Sequence, residues 1–314
     1  MSIVVAVVAT VLLVPALVVA ALVDVLRWLV RRRPWMATRM VLFGWVYVAN
    51  ANIGLVLLSG AWILAGFGAS RRRLQSSAYW IQLWWARNLF GAFRRIFRVA
   101  IDVEGDEVAT PGPIVLLLRH ASIADVLLPN VLVTRRHGLL LRYVLKRELL
   151  VDPSLDVAGN RMPNHFVDRD GDTAAEVARV AALTEDLGPD DGVIIYPEGT
   201  RFTEAKQARV LERLRSRGSQ LAARAARLRH VLPPRLGGPL VLLDAGVDVV
   251  VMAHTGLEPL GRVKDAWRGD IVGSTVSVGM WRVPASEVPG DRVGRVRFLF
   301  EQWERVDAWI AARR

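Results

Sequence analysis

Apolar positions fall into two regimes along this chain. Residues 3–23 are apolar throughout except for Thr10 and Pro15, with no alternation that would mark a strand. That length suits a helix able to cross a bilayer, which takes about 20 residues. No positive residue precedes the run and it is too long for the apolar core of a cleaved leader, so a spanning helix is expected. Arg27 and Arg31 to Arg33 close it and favour a cytoplasmic position for that end. A second apolar stretch, residues 40–69, carries Gly44, Asn50, Asn52, Gly54, Ser59 and Gly60, and Arg71 to Arg73 follow it. Arginines at both ends leave two readings open. One is a full crossing; the other is a hairpin that dips into the leaflet with the asparagines at its turn. Residues 79–97 then mix Tyr79, Trp80, Trp84, Trp85, Phe90, Phe93 and Phe97 with arginines, which favours a helix in the headgroup region over a core-facing one.

From residue 99 the pattern changes. Short apolar runs at 99–103, 114–118, 139–144, 193–196, 247–252 and 271–278 read as strands, bounded by Gly, Pro and Asp. Residues 126–133 read as a helix despite Pro129, and 173–187 and 297–311 have helical apolar spacing. Strands alternating with helices predict an α/β domain whose sheet is largely covered. The expected division is a membrane anchor over 1–98 and a catalytic domain over 99–314.

Composition narrows the partners. The chain has 314 residues, is 53% hydrophobic and contains no cysteine, so disulfides and thiolate metal sites are excluded. The net charge of +11 comes almost entirely from arginine, the only lysines being Lys146, Lys206 and Lys264. An anionic partner follows: membrane lipid, a phosphorylated substrate or nucleic acid. The apolar N-terminus favours the first two, and no nucleic-acid motif or aromatic platform supports the third. The five histidines are not clustered at metal-ligand spacing, so no metal site is expected.

Two stretches carry candidate chemistry. Arg119-His120-Ala121-Ser122-Ile123-Ala124-Asp125 leaves the 114–118 strand. Residues five apart on one helix point roughly 140° apart, so His120 and Asp125 can touch only if His120 lies in the turn before the helix and Asp125 in its first turns. There the carboxylate would hold one imidazole nitrogen and leave the other to take a proton. Ser122 is too close in sequence to act as an independent nucleophile and reads as packing or capping. Tyr196-Pro197-Glu198-Gly199-Thr200-Arg201-Phe202 leaves another strand and runs into a helix that Thr200 or Thr203 could cap. Arg201 beside that N-terminus offers a fork for phosphate. His254, at a strand end, reads as a structural histidine. His165 is placed either in a loop or at the pocket edge, and His137 and His230, with arginine neighbours, are expected to be exposed.

His-x4-Asp followed by Glu-Gly-Thr-Arg, each after an apolar strand, resembles the glycerolipid acyltransferases typified by 1-acylglycerol-3-phosphate acyltransferase. Phe166-Val167-Asp168-Arg169 resembles that family's Phe-x-x-Arg block, and Lys146-Arg147-Glu148-Leu149 its Lys-x-Glu-Leu run. The segment Phe202-Thr203-Glu204-Ala205-Lys206, with residues 228–235 downstream, resembles the lysophospholipid branch. The likeness covers roughly residues 99 to 260. It departs at Arg119, where the family usually has Asn, and at the strand Val249 to His254, where a proline usually follows.

The resemblance implies a mixed, mostly parallel sheet flanked by helices, with an N-terminal membrane-embedded segment. It implies acyl transfer from an acyl-CoA or acyl carrier protein thioester, without a cofactor, to a hydroxyl of lysophosphatidic acid or a related lysophospholipid. His120 and Asp125 would be the catalytic pair. Arg169 and Arg201 would hold the acceptor phosphate, and Glu198, Gly199 and Thr200 would shape its cradle. The protein would sit at the cell membrane with its catalytic domain on the cytoplasmic face. The alternatives are acylation of a glycolipid and a non-catalytic anionic-lipid-binding protein of the same fold.

Overall fold

The chain begins with helices that turn back on one another. The structure, a computed structural model, describes residues 2–168, 173–261 and 263–314. The first apolar run forms α1 (Ser2–Val11) and α2 (Leu13–Arg31), interrupted at Leu12. Pro15 explains the break, because it has no N–H to give the carbonyl four residues before it. A five-residue turn leads to α3 (Ala37–Leu64). Asp24 on α2 starts that helix from across the turn: its buried carboxylate accepts the N–H groups of Met36, Ala37 and Thr38 at 2.8–3.0 Å. Three donors that a helix N-terminus leaves open are thereby satisfied.

The second apolar run is one continuous helix, so the reading with asparagines at a turn is corrected. The chain reverses instead at Gly66, Phe67 and Gly68, all with positive φ. Asn50 faces α4 (Arg71–Phe97), where its side-chain amide donates to the Trp85 carbonyl at 3.0 Å and its oxygen accepts from Asn88. Both α2 and α3 are long and apolar enough to cross a membrane, and most of the first is exposed. The aromatic helix is also corrected in part. Phe90, Phe93 and Phe97 lie one or two turns apart on one face of α4 and are buried under the sheet, while Trp80, Arg94 and Arg95 stay outside. A 3.6-residue period, rather than aromatic density, decides which rings face the core.

Seven strands form one sheet: β1 (Ala100–Glu104), β2 (Ile114–Leu118), β3 (Leu140–Lys146), β4 (His165–Val167), β5 (Asp191–Ile195), β6 (Asp248–Thr255) and β7 (Thr275–Val283). Their order is β1-β7-β6-β2-β5-β3-β4, and every pairing is parallel except β6 with β7. Five neighbours, β6, β2, β5, β3 and β4, therefore point the same way and release their C-terminal loops on one edge. The three residues of β4 add a strand that the apolar pattern does not mark, and the last strand begins four residues later than its apolar run, after a turn over residues 271–274.

The central strand is buried on both faces, as a covered parallel sheet requires. Its residues alternate between layers. Ile114, Leu116 and Leu118 pack with the α4 phenylalanines and with Leu128 and Leu132 of the irregular helical segment after Asp125. That segment is a 3-10 turn (Asp125–Leu127) followed by a π-helical turn (Asn130–Thr134), which accommodates Pro129. Val115 and Leu117 pack on the other side with helix Gly237–Leu243 and with Leu299, Trp303 and Val306 of the closing helix Arg292–Ala311.

The core role of α4 is directly testable. Phe93 is 3% exposed and contacts the rings of Phe43 and Phe97. Phe93→Ala is expected to destabilise the protein by about 3–5 kcal/mol in denaturant unfolding. A loss below about 1 kcal/mol would put that face of the helix against lipid instead.

Candidate active site

All the candidate blocks leave the sheet on the edge where the five parallel strands end. In open α/β sheets this edge is where ligands bind. β2 runs out into Arg119 and His120, and the next turn is closed by Asp125. One oxygen of Asp125 accepts the backbone N–H groups of Ala121 (2.7 Å) and Ser122 (2.9 Å). The same carboxylate meets His120 Nδ1 at 3.2 Å from each oxygen. His120 thus sits in the turn and Asp125 in the first helical turn, the arrangement the five-residue spacing requires. Asp125 is fully buried and His120 is 13% exposed, so the imidazole forms the surface and the carboxylate its base. A carboxylate on Nδ1 favours the neutral tautomer protonated there, which leaves Nε2 its lone pair. Ser122 caps this turn: its Oγ accepts the Ala124 N–H at 2.9 Å.

β5 lies beside β2, so the second block emerges next to the first. The Tyr196 ring packs on the His120 imidazole at 4.7 Å between centroids. Glu198 is turned inward and 2% exposed; its oxygens accept the His120 N–H at 2.9 Å and the Leu232 N–H at 2.8 Å. The Phe202 N–H donates to the His120 carbonyl at 3.1 Å. The two loops are therefore stitched together through both backbone groups of one residue. Burial pushes the Glu198 carboxyl up to about 7, against the opposing pull of Arg119 and the two N–H groups.

Gly199 has φ +64°, a conformation that favours glycine, and an added Cβ would also displace the Arg235 side chain, whose Nε would lie 2.7 Å away. Thr203, rather than Thr200, caps the following helix Glu204–Ser216. Thr200 accepts instead from Lys206 Nζ at 2.9 Å, and that ammonium also donates to the Arg201 carbonyl. Arg201 uses Nη1 on the Gly261 carbonyl at 2.9 Å, which fixes the guanidinium on the same rim. Arg169 lies outside the described residues. Its neighbour Asp168 meets Arg147 Nη1 at 2.5 Å. A cavity of about 410 Å³ opens there, lined by Arg147, Phe166, Asp168, Glu176 and Arg179 among others.

Behind the two loops lies a charged layer that sequence reasoning missed. Arg119 is wholly buried; it donates to Glu258 Oε1 (2.6 Å) and to the carbonyls of His254 (2.5 Å) and His230 (2.9 Å). Burial alone would raise the Glu258 carboxyl, but the Arg119 guanidinium holds it down at about 2. His254 is buried 3.7 Å from Asp125 and meets the Arg119 carbonyl through Nε2 at 3.1 Å. Burial lowers its imidazole to about 4, so it stands neutral behind the carboxylate, in keeping with a structural reading. The available signal was a single charged residue, Arg119, closing an otherwise apolar strand. The other histidines are placed as follows. His165 is in β4 and paired with Glu176 at 2.7 Å. His137 and His230 are half-buried rather than exposed, the former against Asp106.

Residues 100–254 match the family model for acyltransferases. That match marks an acyltransferase domain over this part of the chain. No curated protein matches it. Among solved structures it is similar to the 1-acyl-sn-glycerophosphate (LPA) acyltransferase PlsC from Thermotoga maritima, at 15% identity and a TM-score of 0.55. That likeness covers 86% of this chain and 97% of the other, and it shows a shared fold. The acyltransferase match begins and ends within the sheet, from β1 to His254, and so contains both stitched loops.

Glu198 gives a pH test. Its proton is held more tightly in the folded protein than at the ordinary 4.5, so it adds stability at low pH that fades as pH rises from about 4.5 to about 7. Glu198→Gln is expected to remove that loss, visible as a flatter denaturant midpoint across the same window. A wild-type and variant pair with parallel profiles would contradict the buried placement.

Proposed function

We propose that this acyltransferase moves a fatty acyl group from an acyl thioester to a free hydroxyl of lysophosphatidic acid or a related lysophospholipid at a membrane surface. The observation that carries the reading is the His120–Asp125 pair sharing one rim with the Gly199–Arg201 loop, the two tied through Glu198 and Phe202. A base and an anion holder are thereby brought to one cleft edge.

In this mechanism His120 Nε2 takes the proton from the acceptor hydroxyl as its oxygen attacks the thioester carbonyl. The new C–O bond forms, the tetrahedral oxyanion collapses, and the C–S bond breaks. The imidazolium returns its proton to the departing thiolate. Asp125 holds the ring and offsets the charge that it gains in between. Arg201 faces the acceptor phosphate, with Lys206 steadying the loop that carries it, and the resemblance assigns Arg169 the same duty. Acyl-CoA or an acyl carrier protein serves as donor, and no cofactor enters the reaction.

The membrane reading rests on α2 and α3, whose outer faces leave Val18, Leu22, Leu26, Val56 and Leu64 exposed. The α3 helix is bound along its length by the catalytic domain: Tyr47 donates to Asp152, and Arg161 donates to the Leu58 carbonyl at 2.8 Å. A helix so held lies with one face in the leaflet rather than crossing it. Both arginine groups then stay on one side of the bilayer, the cytoplasmic one under the positive-inside rule.

Purified protein supplied with labelled acyl-CoA and a panel of lysolipids tests the proposal. His120→Ala is expected to lower turnover by about 10²–10⁴-fold or more with the fold and vesicle binding intact. Arg201→Ala is expected to act chiefly on the acceptor KM. Normal turnover by the His120 variant would remove the proposed base.

A further inference from the structure

A second cationic cleft, sharing no lining residue with the His120–Arg201 rim, lies at the turn between the two apolar helices. It encloses about 540 Å³ and is lined by Arg32, Arg33, Arg39 and Arg98 with Trp28 and Trp35, and no carboxylate is among its lining residues. Negative charge nearby is already committed. Asp24 is occupied by three backbone N–H groups and Arg27, and Asp270 stands 3.6 Å from Arg33 with both side chains about half exposed. Arg39 gives one N–H to the Trp35 carbonyl at 3.3 Å, while its Nε is buried with no hydrogen-bond partner. Arg32 stacks on the Trp28 ring at 4.2 Å, which holds its planar fork in place.

The cleft is built rather than incidental, because the turn that forms it is fastened to the catalytic domain. Arg27 donates to the Trp267 carbonyl at 2.6 Å and lies 4.6 Å over that ring. A Cβ at Gly269 would stand 2.7 Å from Pro34, and the Gly273 N–H meets the Phe97 carbonyl at 2.9 Å. Its flanks identify the occupant. Leu22, Leu26, Leu29 and Val30, which lead up to the cleft on α2, are 59–70% exposed, and Trp28 and Trp35 are 43% and 40% exposed. Apolar side chains, then tryptophans, then converging guanidiniums reproduce the order from acyl chains to phosphates in a leaflet.

We propose that this cleft is a separate binding site for the phosphate headgroup of an anionic phospholipid, distinct from the site that holds the reacting lysolipid. The arginine forks engage the phosphate oxygens, the tryptophans sit at the glycerol level, and the acyl chains follow the exposed face of α2. The inference rests on the membrane reading above, and the two fail separately in the following test.

Full-length protein in detergent is offered equal amounts of phosphatidylglycerol and phosphatidylcholine, and the lipid retained is read by native mass spectrometry. The wild type is expected to keep one phosphatidylglycerol with a preference of about tenfold or more, and Arg39→Gln/Arg98→Gln to lose that preference. Arg213→Gln/Arg217→Gln removes the same charge from an exposed surface elsewhere and is expected to keep it. Arg32→Gln/Arg33→Gln provides a second lesion of the cleft should the first variant misfold. A preference that survives both cleft lesions, or falls equally in the surface control, would overturn the site. Displacement of the lipid by equimolar inorganic phosphate would overturn its assignment to a lipid headgroup. Flotation with pure phosphatidylcholine vesicles tests the membrane reading by itself: wild type and variants are expected to float, and a wild type that does not would overturn that reading whatever the mass spectra show.

Discussion

The structure of the proposed catalytic rim depends on one buried carboxylate on which three donors of its own turn converge. Taking Asp125 out of water costs several kcal/mol unless its oxygens find partners. Two backbone N–H groups and the His120 ring supply them within five residues of chain. Because the donors are the N–H groups of the turn itself, the carboxylate shapes the loop and orients the imidazole at once. Removing it would leave two donors open and release the ring, so the fold of the turn and the chemistry cannot be separated there.

That local arrangement is useful only because the sheet brings a second loop against it. β2 and β5 are parallel neighbours, so the loops leave the same edge, and Glu198 with the Phe202 N–H holds the backbone N–H and C=O of His120. Behind the clasp, Arg119 bridges to β6 and its following turn through His254 and Glu258, and to the loop before helix Gly237–Leu243 through the His230 carbonyl. Breaking this ion pair would leave the Arg119 charge unpaired in the interior, at a cost of about 3–5 kcal/mol. Three strand ends are thus locked to one another under the imidazole.

Much of this was legible in the sequence. The 114–118 run is a strand because five apolar residues bounded by Pro and Gly suit a sheet covered on both faces. The His-x4-Asp geometry followed from helical rotation alone. What was hidden is long-range. Three residues are too few to show a period, so β4 escaped notice. The aromatic residues of α4 resemble a membrane-interface mixture in composition, but Phe90, Phe93 and Phe97 recur at helical spacing and were claimed by the sheet. The asparagines of α3 looked like a turn; Asn50 instead meets a carbonyl and another asparagine 35 and 38 residues away. The partners of Arg119 are over 100 residues distant, beyond any local pattern.

The central physical claim is that Asp125 dictates which nitrogen of His120 holds the proton. Nitrogen-15 NMR of histidine-labelled protein, in its neutral imidazole form, reads that tautomer directly. The account predicts one ring protonated at Nδ1, assigned through its absence in His120→Ala and shifted by Asp125→Asn. A His120 ring that carries its proton on Nε2, or that is indifferent to Asp125, would contradict it.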